Sequence, residues 1–186
     1  MMIICYGDSN TYGFDPRSYF GGRYEPENRW VDILAAKLGC RAVNAGENGR
    51  EIPYMDKQLN DLIVQNPSVD LLMIMLGSND LLQGNPLLTV KERMELFLKG
   101  IPLERSKILL IAPPSMKMGA WVTTRTLLDD SLEMCNVYRQ IAELKEIRFA
   151  DAGAWDVPLA FDGVHFTEEG HRIFAEEIYT HIFQKE

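Results

Sequence analysis

A chain of 186 residues, 46% hydrophobic and 25% charged, has the length and composition to bury one sizeable core and reads as one domain over residues 1–186. A formal net charge of -8, with no block of clustered Lys and Arg, argues against a nucleic-acid partner, since phosphate binding needs concentrated positive charge. No stretch approaches the roughly 20 apolar residues of a membrane helix, so no membrane partner is expected.

The first apolar run, Met2 to Tyr6, reads as a strand. It is too short for a secretory signal and has no basic start, and a cytoplasmic location is expected. It leads into Gly7-Asp8-Ser9-Asn10, where a strand should hand over to a loop. A helix over Arg29 to Leu38, a strand over Arg41 to Asn44, and a helix over Ile52 to Gln65 follow. The next strand, Leu71 to Leu76, ends on Gly77-Ser78-Asn79-Asp80, and a helix over Val90 to Leu98 precedes a strand over Ile108 to Ala112. In the helix expected over Leu127 to Leu144, Ser131, Met134, Cys135, Tyr138, Ile141 and Ala142 recur at three- and four-residue steps, so this face should lie on the sheet. A fifth strand, Ile147 to Ala150, precedes a closing helix over Glu168 to Phe183 with Thr167 as its cap. Such alternation is the mark of a parallel sheet covered by helices on both faces. Cys5, Cys40 and Cys135 form neither a disulfide framework nor a CxxC pair and read as reduced thiols.

The polar clusters follow strand ends. Gly7 to Asn10, Asn48-Gly49-Arg50 and Gly77 to Asp80 all lie past carboxyl ends, the edge where open α/β sheets bind ligands. A serine hydroxyl needs a base near neutral pH, and the base needs a group to hold its tautomer. Of three histidines, only His165 has an acid three residues earlier in a turn-like setting, Asp162-Gly163-Val164-His165. Ser9, His165 and Asp162 therefore fill the roles of nucleophile, base and orienting acid. Donors for an oxyanion are the N–H groups of Ser9 and Gly49 and the side-chain amide of Asn79.

These four blocks, Gly7-Asp8-Ser9, Gly49, Gly77-x-Asn79-Asp80 and Asp162-x-x-His165, occur in the order of the SGNH hydrolases, or GDSL family, which the chain resembles along nearly its whole length. The resemblance implies a three-layer α/β/α sandwich with a five-stranded parallel sheet of flavodoxin-like type. It implies Ser9 as nucleophile, Asp162 and His165 as its partners, Gly49 and Asn79 as completing the oxyanion hole, and an esterase acting through an acyl-enzyme without cofactor or metal. The stretches around Ser9, Asn79 and His165 are similar to bacterial arylesterases and acyltransferases that handle short acyl esters, so a small-molecule ester, with acetyl as the typical acyl group, is the expected substrate. Where the family often carries leucine after the serine this chain has Asn10, and Tyr12 and Phe14 replace tryptophans of the arylesterase subgroup; both changes bear on acyl preference rather than on the reaction. Related esterases often self-associate, and a homo-oligomer is expected.

Supporting roles fall to Asp8 at the nucleophile turn, to Gly77, and to Asp80, which should tie loops through backbone N–H groups. Tyr12, Phe14, Trp121 and Trp155 lie in loops where they could line an acyl pocket, while Trp30 reads as core. His171 and His181, on the last helix without a partnered acid and nucleophile, read as packing or surface residues. Within the family, carbohydrate acetylesterase, lysophospholipase and thioesterase activities are alternatives. Outside it stand a metal-dependent phosphoesterase and an inactive binding module, although no GxGxxG or GxxxxGK[ST] loop is present.

Overall fold

Runs that are apolar at nearly every position become strands buried on both faces, as a helix-covered parallel sheet requires. The computed structural model describes residues 1–18 and 20–184. Strands β1 (Met2–Gly7), β2 (Arg41–Gly46), β3 (Leu71–Met75), β4 (Ile108–Ala112) and β5 (Arg148–Asp151) lie in the order β2-β1-β3-β4-β5, every neighbouring pair parallel. The first strand is thus central, and the chain leaves it at the carboxyl edge with β2 and β3 on either side.

Side-chain alternation divides the core in two. Ile4, Tyr6, Leu72, Ile74 and Leu110 point to the face covered by α3 (Lys57–Gln65), α5 (Leu87–Lys99) and α6 (Arg125–Lys145), where Leu59, Met94, Phe97, Met134 and Tyr138 meet them. Ile3, Cys5, Met73, Leu109 and Ile111 point to the other face, covered by α2 (Trp30–Leu38) and α7 (Glu168–Ile178) through Trp30, Leu34, Phe174 and Ile178. The expected three-layer α/β/α sandwich is the observed one. The α6 face is as read from its periodicity, with Ser131, Met134, Tyr138, Ile141 and Ala142 buried and Cys135 half-buried.

Several boundaries differ for local reasons. The helix expected from Ile52 begins at Lys57, because Pro53 disfavours helical geometry at Ile52, whose N–H instead donates to the Asp80 carboxylate at 3.0 Å. Asp56 supplies the cap, its side chain accepting from the Leu59 N–H at 3.0 Å. Ile147 does not open β5, since its N–H closes α6 on the Ala142 carbonyl. Thr167 caps α7 as expected, but the α-helix ends at Ile178 and a π-helical turn, Tyr179–Phe183, follows. Two short helices went unforeseen, α1 (Ser9–Tyr12) and α4 (Ser78–Leu82), each a single turn.

Helix α4 opens from Gly77, whose φ of +114° lies in the region that favours glycine. A Cβ there would also overlap the Tyr138 hydroxyl and the Met134 sulfur, and that hydroxyl donates to the Leu76 carbonyl at 3.0 Å. Gly77→Ala is therefore expected to destabilise the fold by about 2 to 4 kcal/mol, combining backbone strain with overpacking. Urea unfolding measures this, and a loss below about 1 kcal/mol would refute the packing argument.

Candidate active site

Ser9 opens α1 at the carboxyl end of the central strand. The sharp turn is held by Asp8, whose side chain accepts from the Asn10 N–H at 3.0 Å while its carbonyl accepts from Thr11 and Tyr12. As the first helical residue, Ser9 has an N–H with no acceptor inside α1.

From the far end of the chain, the 160–166 loop brings Asp162 and His165 to the same place. One Asp162 carboxylate oxygen accepts from the N–H groups of Val164 and His165, both at 2.9 Å, which closes the turn. The other accepts from His165 Nδ1 at 2.7 Å. His165 Nε2 lies 3.0 Å from the Ser9 hydroxyl. All three residues are buried, Ser9 at 5%, Asp162 at 1% and His165 at 2% exposure, so bulk water competes little for these bonds. Burial alone would push the Asp162 carboxyl up, but the His165 side chain and the two backbone N–H groups outweigh it and hold the carboxyl below its ordinary value. An ionised carboxylate can only accept, so Nδ1 carries a proton, and in the neutral imidazole Nε2 is the nitrogen that accepts from the Ser9 O–H.

The remaining expected residues divide between this site and elsewhere. Phe14 and Trp121 flank the imidazole, with ring centroids 4.6 and 4.8 Å from it. Trp121 is delivered by the loop after β4, whose Lys117, Ala120 and Trp121 N–H groups donate to the carbonyls of Gly163, Phe161 and Asp162. Trp155, expected at an acyl pocket, is instead on the α7 side: a 3-10 turn over Ala152–Ala154 carries it against Phe174 and His181, at 5.4 and 5.8 Å. Tyr12 turns its ring to the Arg23 guanidinium at 4.5 Å. Gly49 occupies an exposed turn with φ of +74°. Asn79 uses its side-chain N–H to bond the Arg50 carbonyl at 3.1 Å, which ties the loop after β3 to the loop after β2.

Four charged groups support that junction. Asp80 is fully buried, accepts from Ile52 N–H and pairs with Arg93 at 2.9 Å, while Arg93 also reaches Glu51. Arg50 stacks 4.3 Å over the Tyr6 ring and donates to the Gly7 carbonyl at 2.8 Å. Neither arginine was singled out in the sequence; the signal for Arg50 was its place beside Gly49 past the end of β2. His171 is fully buried between Tyr24 and Phe166, accepts from Trp30 N–H at 3.4 Å, and is pushed down to about 3 by burial, with Arg29 and His165 adding to it. His181 does have an acid partner, Glu177 one turn earlier at 3.0 Å. Cavities of about 520 and 500 Å³ lie elsewhere, the first lined by Tyr6, Gly46, Arg50 and Leu59 and the second by Arg17, Tyr24, Phe161 and Arg172, and neither is lined by Ser9. Among the described residues no helix is long and apolar enough to cross a membrane.

The likeness to known proteins is extensive. The model of the GDSL-like lipase/acylhydrolase family matches residues 5–173. A carbohydrate acetylesterase family member from Sinorhizobium meliloti superposes with a TM-score of 0.80 at 25% identity, covering 96% of this chain and 95% of its own. A putative arylesterase from Agrobacterium tumefaciens gives a TM-score of 0.80 at 25% identity, covering 96% of each chain. The aryl esterase of M. smegmatis, in an inhibitor-bound form, gives 0.82 at 23% identity over 96% of this chain and 98% of its own, a likeness of fold. No curated protein matches the chain significantly.

Asp8, 2% exposed, is pushed up from an ordinary 3.8 to about 6, chiefly by burial. A carboxyl raised in the folded state favours folding while protonated and loses that contribution as pH rises through its folded value. Asp8→Asn keeps a capping oxygen, so its stability relative to the wild type should rise between about pH 4 and pH 6, by at most about 3 kcal/mol. Paired thermal melts across that range test this, and a difference that does not change with pH would overturn it.

Proposed function

Because the chain belongs to the GDSL-like lipase/acylhydrolase family and is a serine-type carboxylic ester hydrolase, we propose that Ser9, His165 and Asp162 perform its reaction on esters of short acyl groups such as acetyl. The observation that carries this reading is the continuous bond series Asp162 to His165 at 2.7 Å and His165 to Ser9 at 3.0 Å. In the first half-reaction Ser9 Oγ attacks the ester carbonyl carbon as its proton passes to His165 Nε2. The imidazolium is steadied by the Asp162 carboxylate. The oxyanion is received by the Ser9 N–H, the Gly49 N–H and the side-chain amide of Asn79. Collapse of the adduct breaks the bond to the leaving alcohol, which takes the proton from His165. Water or a second alcohol then repeats the sequence in reverse on the acyl-enzyme.

A small acyl group is supported by the near-complete burial of Ser9 and by the Phe14 and Trp121 rings beside the imidazole. The names carried by similar proteins, a carbohydrate acetylesterase family member and a putative arylesterase, make acetylated sugars and aryl acetates the first classes to test. A metal-dependent phosphoesterase is disfavoured because both ring nitrogens of His165 are engaged, by Asp162 and by Ser9. Self-association belongs to the same reading and is supported by the exposed apolar side chains of Met118, Trp121 and Phe161 on two loops bonded to each other. Light scattering that returns only the monomer mass at micromolar concentration would remove it. A cytoplasmic location, supported by three free cysteines, would be overturned by fractionation that finds the protein outside the cell.

On p-nitrophenyl esters, kcat/KM is expected to be highest for acetate and to fall by about tenfold or more by octanoate, as a narrow acyl site would require. Ser9→Ala should abolish the burst of nitrophenol, and Asn79→Ala should lower kcat by about 10²- to 10³-fold. Equal rates for acetate and octanoate would refute the short-acyl reading, and a burst surviving in Ser9→Ala would refute the nucleophile.

A further inference from the structure

Resting on the esterase reading, the geometry points to Asn10 as the positioning residue of the general base: its carboxamide clamps the backbone on both sides of His165 and so sets the separation of imidazole and nucleophile. Its side-chain N–H donates to the Val164 carbonyl at 3.1 Å. Its side-chain oxygen accepts from the Phe166 N–H at 2.9 Å. Both contacts are buried, and Asn10 itself is 5% exposed. The residue beside the nucleophile therefore faces away from any substrate, toward the loop that presents the base.

The chemistry of the two partners selects a primary amide. A carbonyl can only accept and an N–H can only donate, so the group between them must offer one donor and one acceptor side by side. Leucine offers neither, and an ionised carboxylate offers only the acceptor. Asn10 is held in turn by the Trp30 indole N–H, which donates to its backbone carbonyl at 3.0 Å. With the clamp in place, the N–H groups of residues 164, 165 and 166 and the carbonyls of 164 and 165 are all bonded: Asp162 takes the first two N–H groups, Asn10 takes the third and the Val164 carbonyl, and the Ala160 N–H reaches the His165 carbonyl at 2.7 Å.

Asp162 fixes the ring within its own turn, but a bond between residues three apart says nothing about where the turn stands relative to Ser9. Asn10 supplies that reference, because it adjoins Ser9 in the chain and in the single turn of α1. A misplacement of about 1 Å at reacting groups costs on the order of 10²-fold in rate.

The test is Asn10→Leu assayed on p-nitrophenyl acetate and butyrate, with the competent fraction titrated by a fluorophosphonate and the fold followed by thermal melt. Per competent site, kcat is expected to fall by about 10- to 100-fold, with KM within about threefold of wild type and the acetate-to-butyrate ratio unchanged. A merely structural role would lower the melting temperature and the competent fraction while leaving kcat per site intact, which would overturn the proposal. A shifted acyl ratio or a raised KM would make Asn10 a substrate-contacting residue and would also overturn it. Asn10→Asp decides the matter should the leucine variant not fold. Its carboxyl matches both partners only when protonated, so the variant's kcat relative to wild type should fall as pH rises. A relative kcat that stays level or climbs with pH would refute the clamp. A wild type lacking Ser9-dependent turnover would sink the esterase reading together with this role, whereas an active wild type with an unimpaired Asn10→Leu would sink the role alone.

Discussion

Two hydrogen bonds in series run from Asp162 through His165 to Ser9, the second spanning 156 positions of the chain, and this edge of the sheet is organised around keeping them in line. The requirement is severe because each bond tolerates only a few tenths of an ångström. A central strand meets the first half of it: β1 is paired on both sides, so Ser9 leaves a rigid platform. The second half is harder, since Asp162 and His165 lie in a loop with no ladder of its own. That loop is made rigid by claiming its backbone polar groups one at a time, from the Asp162 carboxylate, the Asn10 amide, the Ala160 N–H and the loop after β4.

Three buried acids gather at this edge, and their surroundings separate them. Asp162 is held ionised by the imidazole and two backbone donors. Asp80 is raised by burial despite its pairing with Arg93, and its oxygens do structural work on the loops beside Asn79. Asp8 is raised by burial to about 6, with a backbone donor at its side chain and no cation in direct contact. Burying charge in this way costs stability unless it is paired, so the arginines at 50 and 93 are part of the site's architecture even though neither contacts Ser9 or His165.

Much of this is legible in the residues alone. Strand ends could be located from apolar runs, and the polar blocks beyond them converge because parallel strands deliver their loops to one edge; Ser9, Asp162 and His165 meet for that reason. What escaped is of three kinds. Helices α1 and α4 are single turns, too short for periodicity to register. Trp155 was misassigned because one 3-10 turn after β5 rotates the chain to the opposite layer, and no pattern in the residues announces it. Asn10 reads from the sequence as bearing on acyl preference, since adjacency to Ser9 says nothing about which way a side chain points once a turn intervenes. Its two partners sit 154 and 156 residues away, beyond the reach of local inference.

The loop after β4 is sewn to the segment bearing Asp162 by three main-chain bonds, from Lys117, Ala120 and Trp121. The ring beside the imidazole and the turn that carries the imidazole are thereby mechanically wedded: lengthening or trimming that loop would drag Asp162 with it. Exchanging the ring at position 121 would leave those main-chain bonds on an unaltered frame, whereas a loop of different length would break their register.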